Sequence, residues 1–307
     1  MTVPGTTPLT GVRPTPSNAR RRRGAQSVDT PAGRVARVAG LIGLIVCSAA
    51  TALPLLLLLA NALKGSGQIL SDPIGVPVPP HFGNLSDAWS QGPSGTPLAR
   101  NFLNSVIVTT GAVALVTAAA ALAGYALGGF SFPGEQWVSQ GILVLLAVPV
   151  QATLIPVFEM LDDAGLRNSY TGIILVYAAF WMPFSVLLLR AAFRSFPRAL
   201  LEAARVDGAS ESRVFLQVVL PVLRGPIAGV AVVNAVGIWS ELLFSYVLLT
   251  EPGKQTLPAA IIAYQGVFVT DYRLLYAGLL ISVAPVLLFY AAMSGVIRKG
   301  MSQGSFR

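Results

Sequence analysis

The sequence predicts an all-α integral membrane protein with six transmembrane helices, on three observations. Of its 307 residues 54% are apolar and 11% charged, less than half the roughly 25% of charged residues in a soluble domain. The apolar residues gather into uncharged runs long enough to cross a hydrocarbon core, which takes about 20 residues at 1.5 Å each. The basic residues concentrate between alternate runs, as cytoplasmic loops require.

The runs are Val38–Leu63, Val106–Leu127, Val138–Val157, Gly172–Leu189, Pro226–Leu249 and Leu274–Ile297. Residues 1–35 are rich in Pro, Thr, Ser and Gly with an Arg20–Arg23 run, and are expected to be a disordered basic cytoplasmic tail. The membrane domain is expected over 36–299, with residues 300–307 as a short cytoplasmic C-terminal tail. The first run exceeds the 7 to 15 residues of a signal-peptide core and no small-residue cleavage site follows it, so it is read as a retained anchor.

Orientation follows from the loops. With the N-terminus inside, seven basic residues precede the first span, six lie between the fourth and fifth, and three follow the sixth. The outer segments hold only Lys64, Arg100, Arg167, Lys254 and Arg273. Both termini are therefore placed in the cytoplasm. The excess of 21 Lys and Arg over 13 Asp and Glu is a topology signal and not a nucleic-acid footprint. Pro54, Pro149, Pro156, Pro183 and Pro285 fall inside spans and suggest kinks packed against other helices.

Chemistry is narrowly bounded. Cys47 is the single cysteine and His81 the single histidine, which excludes an intrachain disulfide and a His/Cys zinc site; both are read as packing or loop residues. One carboxylate lies well inside a span, Glu241 in Trp239-Ser240-Glu241. An ionisable group there needs a partner or a water-filled cavity, so Trp239, Ser240 and Glu241 are candidates for a translocation pathway, unless Glu241 is simply solvated near the outer interface. Glu159, beside Asp162 and Asp163, is read as an interfacial charge. An ion-driven carrier would hold more intramembrane carboxylates and show a repeat in two halves. No G-x-x-x-x-G-K-[ST] loop is present, so any ATP-driven process needs another chain to bind the nucleotide.

The loop from Ser195 to Pro221 reads as two short helices joined by a turn. Ser195 is placed to cap the first with Pro197 just inside it, Gly208 to end it, and Ser210 to cap the second. Ala199, Leu200, Ala203, Ala204 and Val206 alternate with Arg198, Glu202, Arg205 and Asp207, a small-residue surface that a partner can approach closely. A helix lying on lipid is the alternative reading of the same pattern.

Glu202-Ala203-Ala204, three residues, Gly208, nine residues, Val218, one residue, Leu220-Pro221 resembles the EAA motif of bacterial ABC importer permeases, with Val where Ile is common. Asp207-Gly208-Ala209 resembles the carbohydrate-importer, binding-protein-dependent branch related to the maltose permease subunits. Asn104-Ser105, Gly165-Leu166-Arg167-Asn168-Ser169-Tyr170, Trp239-Ser240-Glu241, Thr256-Leu257-Pro258 and Gly300-Met301-Ser302-Gln303-Gly304 agree with it, and the six-span length resembles the shorter, MalG-like member of a permease pair. Two positions depart from the pattern: Ser240 stands where Asn is common, and the loop Gly129–Glu135 lacks the usual basic residues.

The resemblance implies the ABC importer type I permease fold and a subunit that catalyses no covalent chemistry. Glu202, Ala203, Ala204, Asp207 and Gly208 would form the coupling helix and turn that dock on an ABC ATPase dimer, Glu202 pairing with a basic or donor group there. ATP and Mg would be used by that ATPase, with no cofactor bound by this chain. A second homologous permease subunit, an extracytoplasmic substrate-binding protein meeting Glu251–Tyr272, a sugar-like solute and membrane lipid complete the expected partners, in the bacterial cytoplasmic membrane. An importer of a non-sugar solute, a self-sufficient secondary carrier and a membrane-embedded enzyme are the rivals. The last is opposed by the lack of clustered His, Asp or Glu in the spans.

Overall fold

In hydrocarbon a backbone amide has no partner but another amide, so long uncharged runs close on themselves as helices. The computed structural model describes residues 31–266 and 270–303; residues 1–30 of the expected N-terminal tail and residues 304–307 of the C-terminal one lie outside them. Two units divide the chain, residues 1–56 and 57–307. The described part of the first belongs to α1 (Pro31–Ala62), which contains Pro54. Residues 31–35, expected in the tail, are thus helical.

In the second unit the end of α1 is followed by α2 (Ser66–Ser71), α3 (Gly83–Gln91) and α4 (Leu98–Gly129). Next come α5 (Glu135–Leu145), α6 (Leu154–Asp163), α7 (Tyr170–Arg194) and α8 (Arg198–Val206). The chain continues through α9 (Glu211–Val222), α10 (Arg224–Trp239), α11 (Leu243–Leu248), α12 (Leu257–Ile262) and α13 (Tyr272–Gln303). No β-strand forms among the described residues, where a single bridge joins Gln265 and Thr270.

Four helices, α1, α4, α7 and α13, are long and apolar enough to cross a membrane; the number is six if two bent pairs each count as one span. Both bent regions differ from the continuous spans read from the sequence. Val138–Val157 is not one helix: α5 ends at Leu145, and the segment Val150–Asp163 leaves it at 91°. Pro149 has no N–H to continue the ladder and disfavours a helical residue before it, so the amides of Leu146, Ala147 and Val148 tighten onto carbonyls three residues back. Pro226–Leu249 is likewise divided. α10 stops at Trp239 and α11 resumes at Leu243, while α9 meets α10 at 76°. Pro156 sits in the first turn of α6, where its missing N–H is not needed, and Pro183 and Pro285 lie inside α7 and α13.

The helices α4 and α7 pack at backbone range. A Cβ on Gly128 would lie 2.8 Å from the Phe193 Cβ and 2.9 Å from the Arg190 carbonyl oxygen, and one on Gly124 would lie 3.0 Å from the Leu189 Cβ. Small residues one turn apart are how membrane helices gain dispersion contact where lipid removes the hydrophobic drive. Midway along the pair a polar tie adds α10: the Asn234 amide donates to Ser185 Oγ at 2.9 Å, both side chains being fully buried. Three apolar clusters follow the bundle from end to end. One holds Tyr125, Phe193, Phe196 and Val214; the next holds Val108, Tyr177 and Phe244; the last holds Leu98, Leu257, Tyr264 and Leu275.

Lys64, counted above as an outer loop charge, is wholly buried. Its ammonium donates to the Asp72 carbonyl at 2.7 Å, and its own carbonyl accepts from the Asn84 amide at 2.9 Å. The loop brings a carbonyl to this cation because a buried charge whose protons find no acceptor costs far more than one whose protons do.

Gly128→Val should destabilise the protein by about 2 to 3 kcal/mol through overpacking against Phe193 and the α7 backbone, read as a lower thermal midpoint in detergent. The same change at Gly141, which has nothing within 4 Å of its Cβ position, should be close to neutral.

Candidate functional site

At one end of the bundle α8 presents Glu202, Ala203 and Asp207 as exposed side chains, with Ala204 half-buried. Leu201 and Ala204 rest on the cluster around Tyr125 and Phe193, so the opposite face of α8 is the one left open. Gly208 has φ +75°, a left-handed conformation that costs an L-residue about 1 kcal/mol or more. The amide of Gly208 donates to Arg205 and that of Ala209 to Ala204, the two bonds of a Schellman stop. The expected turn at Gly208 is present.

The two serine caps are not. Ser195 is the last residue of the α7 end, and its hydroxyl donates to the Ala192 carbonyl at 2.8 Å; α8 begins after Pro197 instead. Ser210 precedes α9 without a side-chain cap. Short polar side chains near two helix ends can serve either, and here the carbonyls of α7 are the nearer partner. Within α9, Val214–Val219 is a π-helical stretch, the wider winding often found where a helix is bent for function.

Two ion clusters hold this end. Glu135 Oε1 accepts from Arg190 at 2.6 Å and Arg194 at 2.7 Å, joining the start of α5 to the end of α7. Glu211 accepts from Arg205 Nε at 2.8 Å and from the Tyr125 hydroxyl at 2.9 Å. Between them lies a cleft of about 460 Å³ lined by Gly128–Ser131, Glu135, Arg194, Arg198, Leu201, Glu202 and Arg205. None of Tyr125, Glu135 and Glu211 was singled out from the sequence as a site residue. Tyr125 did carry a signal, being the lone aromatic residue in Val106–Leu127.

The second set of candidates lies toward the other end. Along α4 about 35 Å of helix separates Tyr125 from Phe102, whose ring meets Trp239 edge-on at 5.4 Å. The Trp239 indole N–H donates to the Ser282 carbonyl, and Ser240 is exposed at the break. Glu241 is half-buried and has three donors: the Tyr177 hydroxyl at 2.5 Å and the amides of Phe244 at 3.0 Å and Ser245 at 3.3 Å. Its carboxylate therefore caps α11 and ties the break to α7. Glu241 thus lies just past the apolar segment that ends at Trp239, with its oxygens matched by donors.

Beyond the break, motifs far apart in sequence converge. The Asn101 amide donates to the Pro252 and Gln255 carbonyls and that of Asn104 to Gly253 and Gln255, all at 2.9 Å. Asn104 also accepts from the Tyr170 hydroxyl, Ser105 Oγ accepts from the Leu257 amide, and Asn168 accepts from the Glu251 amide. Asn104-Ser105, the stretch ending at Tyr170 and the Thr256-Leu257-Pro258 corner are thus one polar node that fixes the loop Thr250–Thr256.

A bundle of apolar helices, four of them long and apolar enough to cross a membrane, with an exposed amphipathic helix at one end, is the architecture of a multi-pass membrane protein. The chain belongs to the family described as binding-protein-dependent transport system inner membrane component, whose model matches residues 102–303. It is thus a permease of the ABC importer class. It is 38% identical over 266 residues to the diacetylchitobiose uptake system permease protein NgcG of Streptomyces coelicolor, covering 86% of this chain and 87% of that one. It is 28% identical over 272 residues to the melibiose/raffinose/stachyose import permease protein MelC of Bacillus subtilis, covering 88% and 96%. Its fold is similar to a chain of a bacterial ABC transporter involved in the import of the acidic polysaccharide alginate, with a TM-score of 0.74 at 19% identity over 87% of this chain and 98% of that one.

Glu241→Leu leaves the Tyr177 hydroxyl and two amides without an acceptor and should cost about 2 to 4 kcal/mol. Glu241→Gln, which keeps one carbonyl oxygen, should lose about half as much. Thermal melts of both variants in detergent measure the difference.

Proposed function

We propose that this chain is the six-span permease subunit of an ATP-driven importer for a sugar or sugar-like solute, with both termini in the cytoplasm, α5 and α6 together as the third span and α10, entered from α9, as the fifth. The observation that carries the reading is α8: a short helix, anchored by Leu201 and Ala204, that offers Glu202, Ala203 and Asp207 outward and ends on a left-handed Gly208. Residues 36–299 then form the permease domain, flanked by cytoplasmic tails over 1–35 and 300–307. Within it, the loop 195–221 is the coupling element.

In this reading α8 seats in a cleft of a cytoplasmic ABC ATPase dimer. Ala203 and Ala204 let the surfaces approach, Glu202 and Asp207 meet basic or donor groups, and Gly208 sets the exit angle. ATP and Mg bind the ATPase and this chain holds no cofactor. Closure of the ATPase around nucleotide binds one arrangement of the spans better than the other, which shifts the population between inward- and outward-open states. An extracytoplasmic binding protein delivers the solute to the end that carries the Asn101–Asn104 node. The pathway runs between this chain and a second, homologous permease, bordered here by Trp239, Ser240 and Glu241, of which Ser240 is the exposed member. The names of NgcG and MelC, both disaccharide or oligosaccharide uptake permeases, support a sugar as the solute. The family's description as an inner membrane component supports the bacterial cytoplasmic membrane as its location.

Gly208→Pro forces φ from +75° to about −65° and deletes the N–H that bonds Arg205. It should leave the protein in the membrane while solute uptake falls to background and ATP hydrolysis no longer responds to the binding protein; uptake at the wild-type rate removes the coupling role. Glu202→Ala should act in the same direction with smaller effect. Mass spectrometry of the ligand that co-purifies with the cognate binding protein tests the solute: a mono- or oligosaccharide is expected, and an amino acid or peptide overturns the sugar assignment.

A further inference from the structure

We infer that Tyr125 and Glu211 are positioning residues that transmit the movement of α8 to α4, acting through Arg205. The inference rests on the reading of α8 as the coupling helix.

Arg205 lies in the last turn of α8, Glu211 opens α9 across the Gly208 turn, and Tyr125 stands near the end of α4. One carboxylate joins all three: Glu211 Oε1 accepts from Arg205 Nε at 2.8 Å and Oε2 from the Tyr125 hydroxyl at 2.9 Å. Phe130 closes the ring, with its centroid 5.3 Å from that of Tyr125 and 5.9 Å from the Arg205 guanidinium carbon. The Tyr125 ring also meets Phe193 of α7 at 5.6 Å and Phe215 of α9 at 5.0 Å. Four segments of chain thus share one tyrosine.

Two features make this a route for displacement. The cleft of about 460 Å³ beside α8, which Phe130, Arg198, Glu202 and Arg205 help to line, leaves space along the helix, so the Arg205–Glu211 contact is a direct tie from it. Tyr125 lies between Gly124 and Gly128, where α4 touches α7 at backbone range. A push on α8 is taken up by the carboxylate link and delivered to the most tightly packed pair in the bundle. Arg205 and Glu211 are each about half-exposed, at 42% and 50% of their side-chain surface. The link is therefore weak as a source of stability, and its value lies in direction.

The test uses the complete transporter, with its ATPase, second permease and binding protein, reconstituted in liposomes. The chain carries Cys47→Ser and Ser240→Cys, so that a maleimide reports exposure at the break. The probe is ADP with vanadate, which traps a closed ATPase. In the parent, trapping changes the labelling rate at position 240. Tyr125→Phe, which keeps the ring and removes only the hydroxyl, and Glu211→Gln should each shrink that change about threefold to fivefold. The double variant should be no worse than either single one, since both cut the same link. ATPase co-purification and thermal midpoint should stay at parental values, which separates transmission from folding.

An unaltered trapping response in both single variants, or losses that multiply in the double variant, overturns the inference. Gly208→Pro in the same background tells the two readings apart. If it abolishes the response while Tyr125→Phe and Glu211→Gln keep it, the link is wrong and the coupling helix stands. A full response in Gly208→Pro overturns the coupling helix itself. Should Glu211→Gln fail to assemble, Tyr125→Phe carries the test alone.

Discussion

Backbone contact between α4 and α7 is the constraint on which the rest of the structure depends. Gly124 and Gly128 remove the side chains that would hold the helices apart, and in lipid that closeness is the main source of attraction between two apolar surfaces. Once the two helices are locked, their outward faces are set. Tyr125 and Phe193 form one end of the bundle, Val108 and Tyr177 its middle, and Leu98 the start of the other end. α10 joins through the Asn234–Ser185 pair. α8 is tied to Tyr125 through Glu211, and the loop Thr250–Thr256 lies across Asn101 and Asn104.

Three carboxylates that lie where helices end or break are tied to the α4–α7 pair. Glu241 caps α11 and accepts from Tyr177 of α7. Glu211 meets Tyr125 of α4. Glu135 takes both Arg190 and Arg194 of α7, which gives a physical reason for the unusual absence of basic residues in Gly129–Glu135: the acid in that loop meets the basic end of α7, and an added cation there would compete for the same carboxylate. The bundle is thus a closely packed helix pair with interrupted segments tied to it.

The glycine and proline positions show what could be read without coordinates. Gly208 was legible because a left-handed stop between two amphipathic segments has one preferred residue. The four long apolar helices were legible from hydropathy, while the third and fifth spans were read as continuous although both are broken or bent. Hydropathy averages over a window and does not register a break whose polar groups are satisfied internally, as the amides of Phe244 and Ser245 are by Glu241. Ser195 and Ser210 were misjudged as caps, because a serine between two helices has carbonyls and amides within reach and only geometry selects one.

The sequence alone determined an apolar all-helical chain, the uneven placement of its basic residues and the spacing from Glu202 to Pro221, all properties of order along the chain. Tertiary structure decided the partners. Asn104 meets Gln255, Tyr125 meets Glu211, and Tyr177 meets Glu241, pairs separated by 151, 86 and 64 positions. The reason is physical: a buried hydrogen bond depends on separation in space to within a few tenths of an ångström, and the packing of α4 on α7 sets that separation.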